Sequence, residues 1–107
     1  MKIVILGFSN YDKLNNTMMK LINESQYFLF TVVCGGQFPA GPSLAEQWAK
    51  NNGAPVEYCY NENIEQLINI IATTADYIVA DLENGPPHLK RIVMKMKALG
   101  KHGTVVR

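Results

Sequence analysis

Hydrophobic positions along this chain come in two alternating patterns. Short continuous runs rich in β-branched residues appear at Ile3-Val4-Ile5-Leu6, Phe30-Thr31-Val32-Val33-Cys34, Val56 to Tyr60, Tyr77-Ile78-Val79-Ala80 and Thr104-Val105-Val106. Runs of that kind predict strands buried on both faces. Between them the apolar residues recur at helical spacing. Leu14, Met18, Leu21 and Ile22 mark a helix over 12–24, and Ala45, Trp48 and Ala49 mark a second. Ile64, Leu67, Ile68, Ile71 and Ala75 mark a third, and Leu89, Ile92, Val93 and Met96 a fourth.

The residues between the runs supply starts and stops. Gly7 and Asp81 close the first and fourth strands, and Ser43-Leu44-Ala45-Glu46 has the S-x-x-E form of a capping box. Asn61 or Asn63 caps the third helix, Pro86-Pro87 opens the fourth, and Gly53 and Gly100 end the second and fourth. Parallel strands need crossovers of this length, and crossovers are right-handed. The expected fold is therefore α/β, a Rossmann-like doubly wound five-stranded parallel sheet in order 3-2-1-4-5, built as a single domain over residues 1–107.

Composition changes this picture little. The chain has 107 residues, 48% hydrophobic and 18% charged, which suits a soluble globular domain. No apolar run has the length of a membrane span, so no membrane partner is expected. MKIVILGFSN reads as a first strand and not as a signal peptide, so a cytoplasmic location is expected, with Cys34 and Cys59 as reduced core residues. Charge matters more. The net charge is +1, but six of the ten Lys/Arg lie between Lys90 and Arg107, beside His88 and His102, and no acid follows Glu83. That asymmetry points to an anionic partner, although Lys90, Arg91, Lys95 and Lys97 also suit a solvated helix face, and Lys97 and Lys101 the negative end of their own helix dipole.

In a sheet of this order a ligand sits beyond the carboxyl ends of the strands, where the strand order reverses. The loops after the first, second and fourth strands read Gly7-Phe8-Ser9-Asn10, Gly35-Gly36-Gln37-Phe38 and Asp81-Leu82-Glu83-Asn84-Gly85. Glycines let main-chain N–H groups approach a phosphate closely, and a helix start at Ser43 adds partial positive charge. The candidate ligand-binding residues are Gly7, Phe8, Ser9, Gly35, Gly36, Gln37, Ser43, Asp81, Asn84 and Gly85. Asn10 serves either a phosphate or the first helix as its cap, and Phe38 either stacks on a base or closes the core. Trp48 reads as packing or a dimer contact. Asp81 and Glu83 form the carboxylate pair near the crevice and are the catalytic candidates, with ribose contact or a structural role as alternatives. His88 and His102 lack Cys or His neighbours at ligand spacing, so no metal site is expected, and no cofactor.

The whole chain resembles the SLOG superfamily, in particular its small YspA-like branch related to cpYpsA. The resemblance rests on Val4-Ile5-Leu6-Gly7, Val32-Val33-Cys34-Gly35-Gly36, Ala45-Glu46-Gln47-Trp48-Ala49, Gly53-Ala54-Pro55-Val56 and Ala75-Asp76-Tyr77-Ile78-Val79-Ala80, in order and at approximately the family's spacing. It implies a nucleotide or nucleotide-derived ligand at Gly35-Gly36, of the ADP-ribose/NAD or nucleoside monophosphate kind. The family's Arg and Asp are replaced: Phe8-Ser9 stand for Ser-Arg, and Pro42 for the Asp. The expectation is therefore a binding protein without catalysis. A weak N-glycosidase, phosphoribohydrolase or nucleoside deoxyribosyltransferase-like enzyme is the first alternative. A nucleic-acid or protein interaction module using the basic last helix is the second, and a homodimer is left open.

Overall fold

In the computed structural model, which describes residues 1–25, 30–35, 44–83 and 88–106, strands and helices alternate from end to end. The order is β1 (Lys2–Leu6), α1 (Tyr11–Ser25), β2 (Thr31–Gly35), α2 (Leu44–Asn51), β3 (Val56–Cys59), α3 (Ile64–Thr74), β4 (Tyr77–Asp81), α4 (His88–Ala98) and β5 (His102–Val106). All strand pairs are parallel, and the sheet runs β3-β2-β1-β4-β5. The expected α/β doubly wound order is the one observed.

Alternation of side chains across the pleat explains why the strands read as unbroken apolar runs. Ile3, Ile5, Val32, Cys34 and Val79 face one side, where Leu14, Met18 and Leu21 of α1 and Ala45, Trp48 and Ala49 of α2 cover them. Val4, Leu6, Val33, Cys59, Ile78 and Ala80 face the other, under Leu67, Ile68, Ile71 and Ala72 of α3 and Leu89, Ile92, Val93 and Met96 of α4. Helices change face where the chain reverses direction, between β3 and β4. Keeping every crossover right-handed requires that change. Burying each Val, Leu or Ile of these two layers contributes about 1.5–3 kcal/mol.

Helix ends follow the sequence signals closely. Gly53, at φ +70°, ends α2 with its amide 3.4 Å from the Lys50 carbonyl and the Ala54 amide 2.9 Å from that of Ala49. Gly100, at φ +77°, ends α4 in the same way, with Gly100 and Lys101 amides on the carbonyls of Lys97 and Met96 at 3.0 and 2.9 Å. Both are Schellman caps, which need the left-handed residue glycine supplies. Asn63, not Asn61, is the cap of α3: its side chain accepts from the Gln66 amide at 3.1 Å, while Asn61 accepts from Asn63 itself at 2.8 Å. The Ser43 cap expected for α2 lies outside the described residues; Glu46 takes the Lys50 ammonium at 2.9 Å, one turn on.

Two expectations change. The last strand starts at His102, two residues ahead of the predicted Thr104-Val105-Val106 run, because His102 pairs in register with Tyr77 at the start of β4. Lys101 does not serve its own helix. Its ammonium donates to the carbonyls of Ala72, Thr73 and Ala75 at 2.6, 3.1 and 2.6 Å, and so caps the C-terminus of α3. The crossover to β5 carries Lys101 past the end of α3, where orphan carbonyls and the negative dipole end attract a cation.

Candidate functional site

The strand order reverses between β1 and β4, so the candidate site lies where Gly7 leaves β1 and Asp81 ends β4. Gly7 has φ +86°. A Cβ there would overlap the Asp81 carbonyl oxygen and stand 2.7 Å from Leu89 Cδ1. Both the backbone conformation and the close approach therefore demand glycine. Without a side chain at Gly7, the two strand ends meet main chain to main chain.

Beyond Gly7 the chain enters α1. Asn10 is its cap: its Oδ1 accepts from the Lys13 amide at 3.2 Å and its carbonyl from the Leu14 amide at 3.1 Å. That fixes the capping reading of Asn10. Phe8 is half-buried against the α1/α2 side of the core, and Ser9 is exposed. The cap also sets the first turn of α1 so that Lys13 crosses to the end of β4.

Lys13 is the residue the sequence reading missed. Its Nζ stands 2.9 Å from Asp81 Oδ2 and 3.1 Å from Glu83 Oε2. The other Asp81 oxygen accepts from the Glu83 amide at 3.0 Å. Asp81 is 3% exposed and is the one buried charged residue among those described. Burial works to raise its pKa, but the Lys13 ammonium and the Glu83 amide outweigh it, and the carboxyl is held below the usual value of 3.8. Lys13 is raised above 10.5, first by its bond to Asp81 and then, against a desolvation penalty, by Glu83. No local pattern marks Lys13, because its carboxylate partners come from the far half of the chain.

This geometry separates the two carboxylates. Asp81 is enclosed, with each oxygen engaged, and works as an anchor between α1 and β4. Glu83 is exposed over 60% of its side chain and faces solvent just beyond the end of β4. With Lys13 the two sum to one negative charge. Gly35, the last residue of β2, lies in register with Cys59 at the carboxyl edge of the sheet. Gly36, Gln37, Phe38, Ser43, Asn84 and Gly85 lie outside the described residues.

The remaining candidates fall elsewhere. Trp48 is 1% exposed, stacks on Phe30 at a centroid distance of 6.0 Å, and donates from Nε1 to Asn15 Oδ1 at 3.1 Å. It is a core residue. His88 opens α4 and is half-buried, while His102 lies at the amino end of the sheet, opposite the crevice. Cys34 and Cys59 are buried on opposite faces of the sheet, and burial pushes the Cys59 thiol up. The basic surface of α4 is thinner than the sequence suggests, since Arg91 pairs with Glu65 of α3 and Lys101 with the end of that helix. Among the described residues no His/Cys/Asp/Glu group could hold a metal, and no helix is long and apolar enough to cross a membrane.

No family model, curated protein or solved structure matches this chain.

Proposed function

We propose that this is a small SLOG-like protein of the cytoplasm that binds a nucleotide or nucleotide-derived ligand without turning it over. The observation that carries the reading is the bare main-chain junction at Gly7 and Asp81, at the reversal of strand order, with Lys13 braced between Asp81 and Glu83. A phosphate would take main-chain N–H groups of Gly7, Phe8 and Ser9 and of Gly35 and Gly36, with Ser43 and Gln37 assisting. Main-chain N–H groups of this kind suit an anionic oxygen. Ribose hydroxyls would turn to Glu83, the carboxylate solvent can reach, with Asn84 and Gly85 beside it and Asp81 holding Lys13 in place.

The same arrangement supports binding without turnover. A glycosidic nucleophile or general acid needs an accessible carboxylate with a free oxygen, and paired catalysis needs two. Asp81 is sealed and its oxygens are engaged. Glu83 alone is open.

A thermal-shift screen with ADP-ribose, NAD and nucleoside monophosphates tests the reading. Stabilisation by at least one of them, lost in Gly36→Val and reduced in Glu83→Gln, is the expected result. No shift with any of them overturns it. Release of free base from a nucleoside monophosphate, abolished in Glu83→Gln, would replace binding with hydrolysis.

A further inference from the structure

β5 is an edge strand, bonded to β4 on one side only. The carbonyl of Val106 accepts from the Leu82 amide at 3.0 Å, so Val106 directs its main-chain groups toward β4. Alternation along the strand gives His102 and Thr104 the same direction. The amides and carbonyls of Gly103 and Val105 therefore point outward, away from the sheet. A strand edge of this kind is a template for another strand.

Natural edges are usually guarded by proline, charge or a covering element. β3, the other edge, follows Pro55 directly and carries Glu57, which is paired with Lys2 at 2.8 Å. Within β5 itself there is no such guard: 102–106 reads His-Gly-Thr-Val-Val, without proline or a carboxylate, Lys or Arg. The nearest preceding cation, Lys101, is drawn onto the carbonyls of α3 and does not shield the edge. Val105 is 40% exposed.

We propose that a second copy of this chain pairs with β5 in antiparallel fashion about a twofold axis at Thr104, joining two sheets into one. The outward-facing residues, Gly103 and Val105, lie symmetrically about Thr104. A twofold there sets Gly103 opposite the partner's Val105, and each such pair exchanges both of its main-chain hydrogen bonds. The same register is complementary in shape. Val105 projects on the face where the opposing Gly103 has no side chain. That glycine is fixed for an internal reason, since a Cβ on it would crowd Ile78 of β4, with the Ile78 carbonyl oxygen only 2.7 Å away. A foreign strand would satisfy the same main-chain groups; a second copy does so and, by symmetry, also sets a glycine opposite each Val105. This inference is independent of the nucleotide reading.

Sedimentation velocity across micromolar to submillimolar concentrations should show a concentration-dependent dimer. Val105→Pro removes an amide that points away from β4, so it should weaken the dimer roughly tenfold or more while circular dichroism and Tm stay close to those of the parent. Val105→Lys, which keeps the amide and adds charge to the edge, should also give a monomer, and it serves if the proline variant does not fold. Thr104→Cys tests the register. Residues on the axis form a non-hydrogen-bonded pair with Cα atoms about 4.5 Å apart, within disulfide reach. With diamide as oxidant, this variant should run as a covalent dimer on a non-reducing gel, and Val106→Cys should not. A parent chain that stays monomeric at the highest concentration overturns the proposal and leaves the edge to a foreign strand. A dimer indifferent to both Val105 variants overturns it as well, and failure of Thr104→Cys to cross-link overturns the register.

Discussion

Lys13 on the first turn of α1 and Asp81 at the end of β4 form an ion pair at 2.9 Å, with the carboxylate 3% exposed and the ammonium at the surface. The pair joins the two elements that frame the crevice. Glu83 completes it from both directions, its amide on one Asp81 oxygen and its carboxylate on Lys13.

The pair makes stability depend on pH at both extremes. Asp81 has a folded pKa below its ordinary 3.8, so its contribution is present above that value and is lost as pH falls through the lower folded one. Lys13 has a folded pKa above 10.5, so its contribution is full below that value and is lost as pH rises through the folded one. Urea midpoints measured at pH 7 and pH 3 should show a drop in the parent protein that shrinks in Lys13→Met. An equal drop in both would remove the pair as its source. At pH 7, Lys13→Met should lower Tm more than Asp81→Asn does, because it leaves a buried carboxylate without its cation.

Two glycines of similar backbone conformation should differ sharply in tolerance. Gly53, at φ +70°, has open space where a Cβ would go, so Gly53→Ala should cost about 1–2 kcal/mol of conformational strain. Gly7, at φ +86°, adds the collision with Asp81 and Leu89, so Gly7→Ala should cost more than about 3 kcal/mol. Urea denaturation of the two variants gives the comparison, and equal costs would show that close approach at Gly7 is unimportant.

Removing the cap on α3 should be costly for a surface lysine. Lys101→Met deprives three carbonyls of their donor and the dipole of its counter-charge, an expected loss of about 1–2 kcal/mol. Lys97→Met, one of the neighbouring exposed cations, should change stability by less than about 0.5 kcal/mol. Chemical denaturation distinguishes the two.

The indole of Trp48 ties α2 to α1 through Asn15. Asn15→Leu leaves a buried N–H without its acceptor, at an expected cost of about 1–3 kcal/mol. In a Trp48→Phe background the same substitution should cost clearly less, since no N–H remains to be satisfied. A double-mutant cycle showing no coupling would mean that the hydrogen bond contributes nothing.

The fold was legible because its signals are local. Ile3 to Leu6 and Tyr77 to Ala80 declare strands covered on both sides, Leu67, Ile68 and Ile71 a helix face, and Gly53 and Gly100 the stops. The boundary at His102 was not legible: nothing in Lys101-His102-Gly103 signals a strand, and only pairing with Tyr77 makes one. The site was half legible. Loop composition and the expected strand order singled out the ends of β1 and β4, at Gly7 and Asp81, as the candidate site. They did not indicate Lys13, nor show that Asp81 is enclosed while Glu83 is open.

The sequence by itself determined the elements and their order in the sheet, since periodicity, caps and crossover handedness act over a few residues or one connection. Tertiary structure alone decided which charges meet. Lys13 reaches Asp81, Lys101 reaches the carbonyls of α3, and Arg91 reaches Glu65, each across a long stretch of chain. An ion pair has no preferred spacing along the sequence. It depends on distance and burial, and those exist only once the sheet has brought the ends of its strands together.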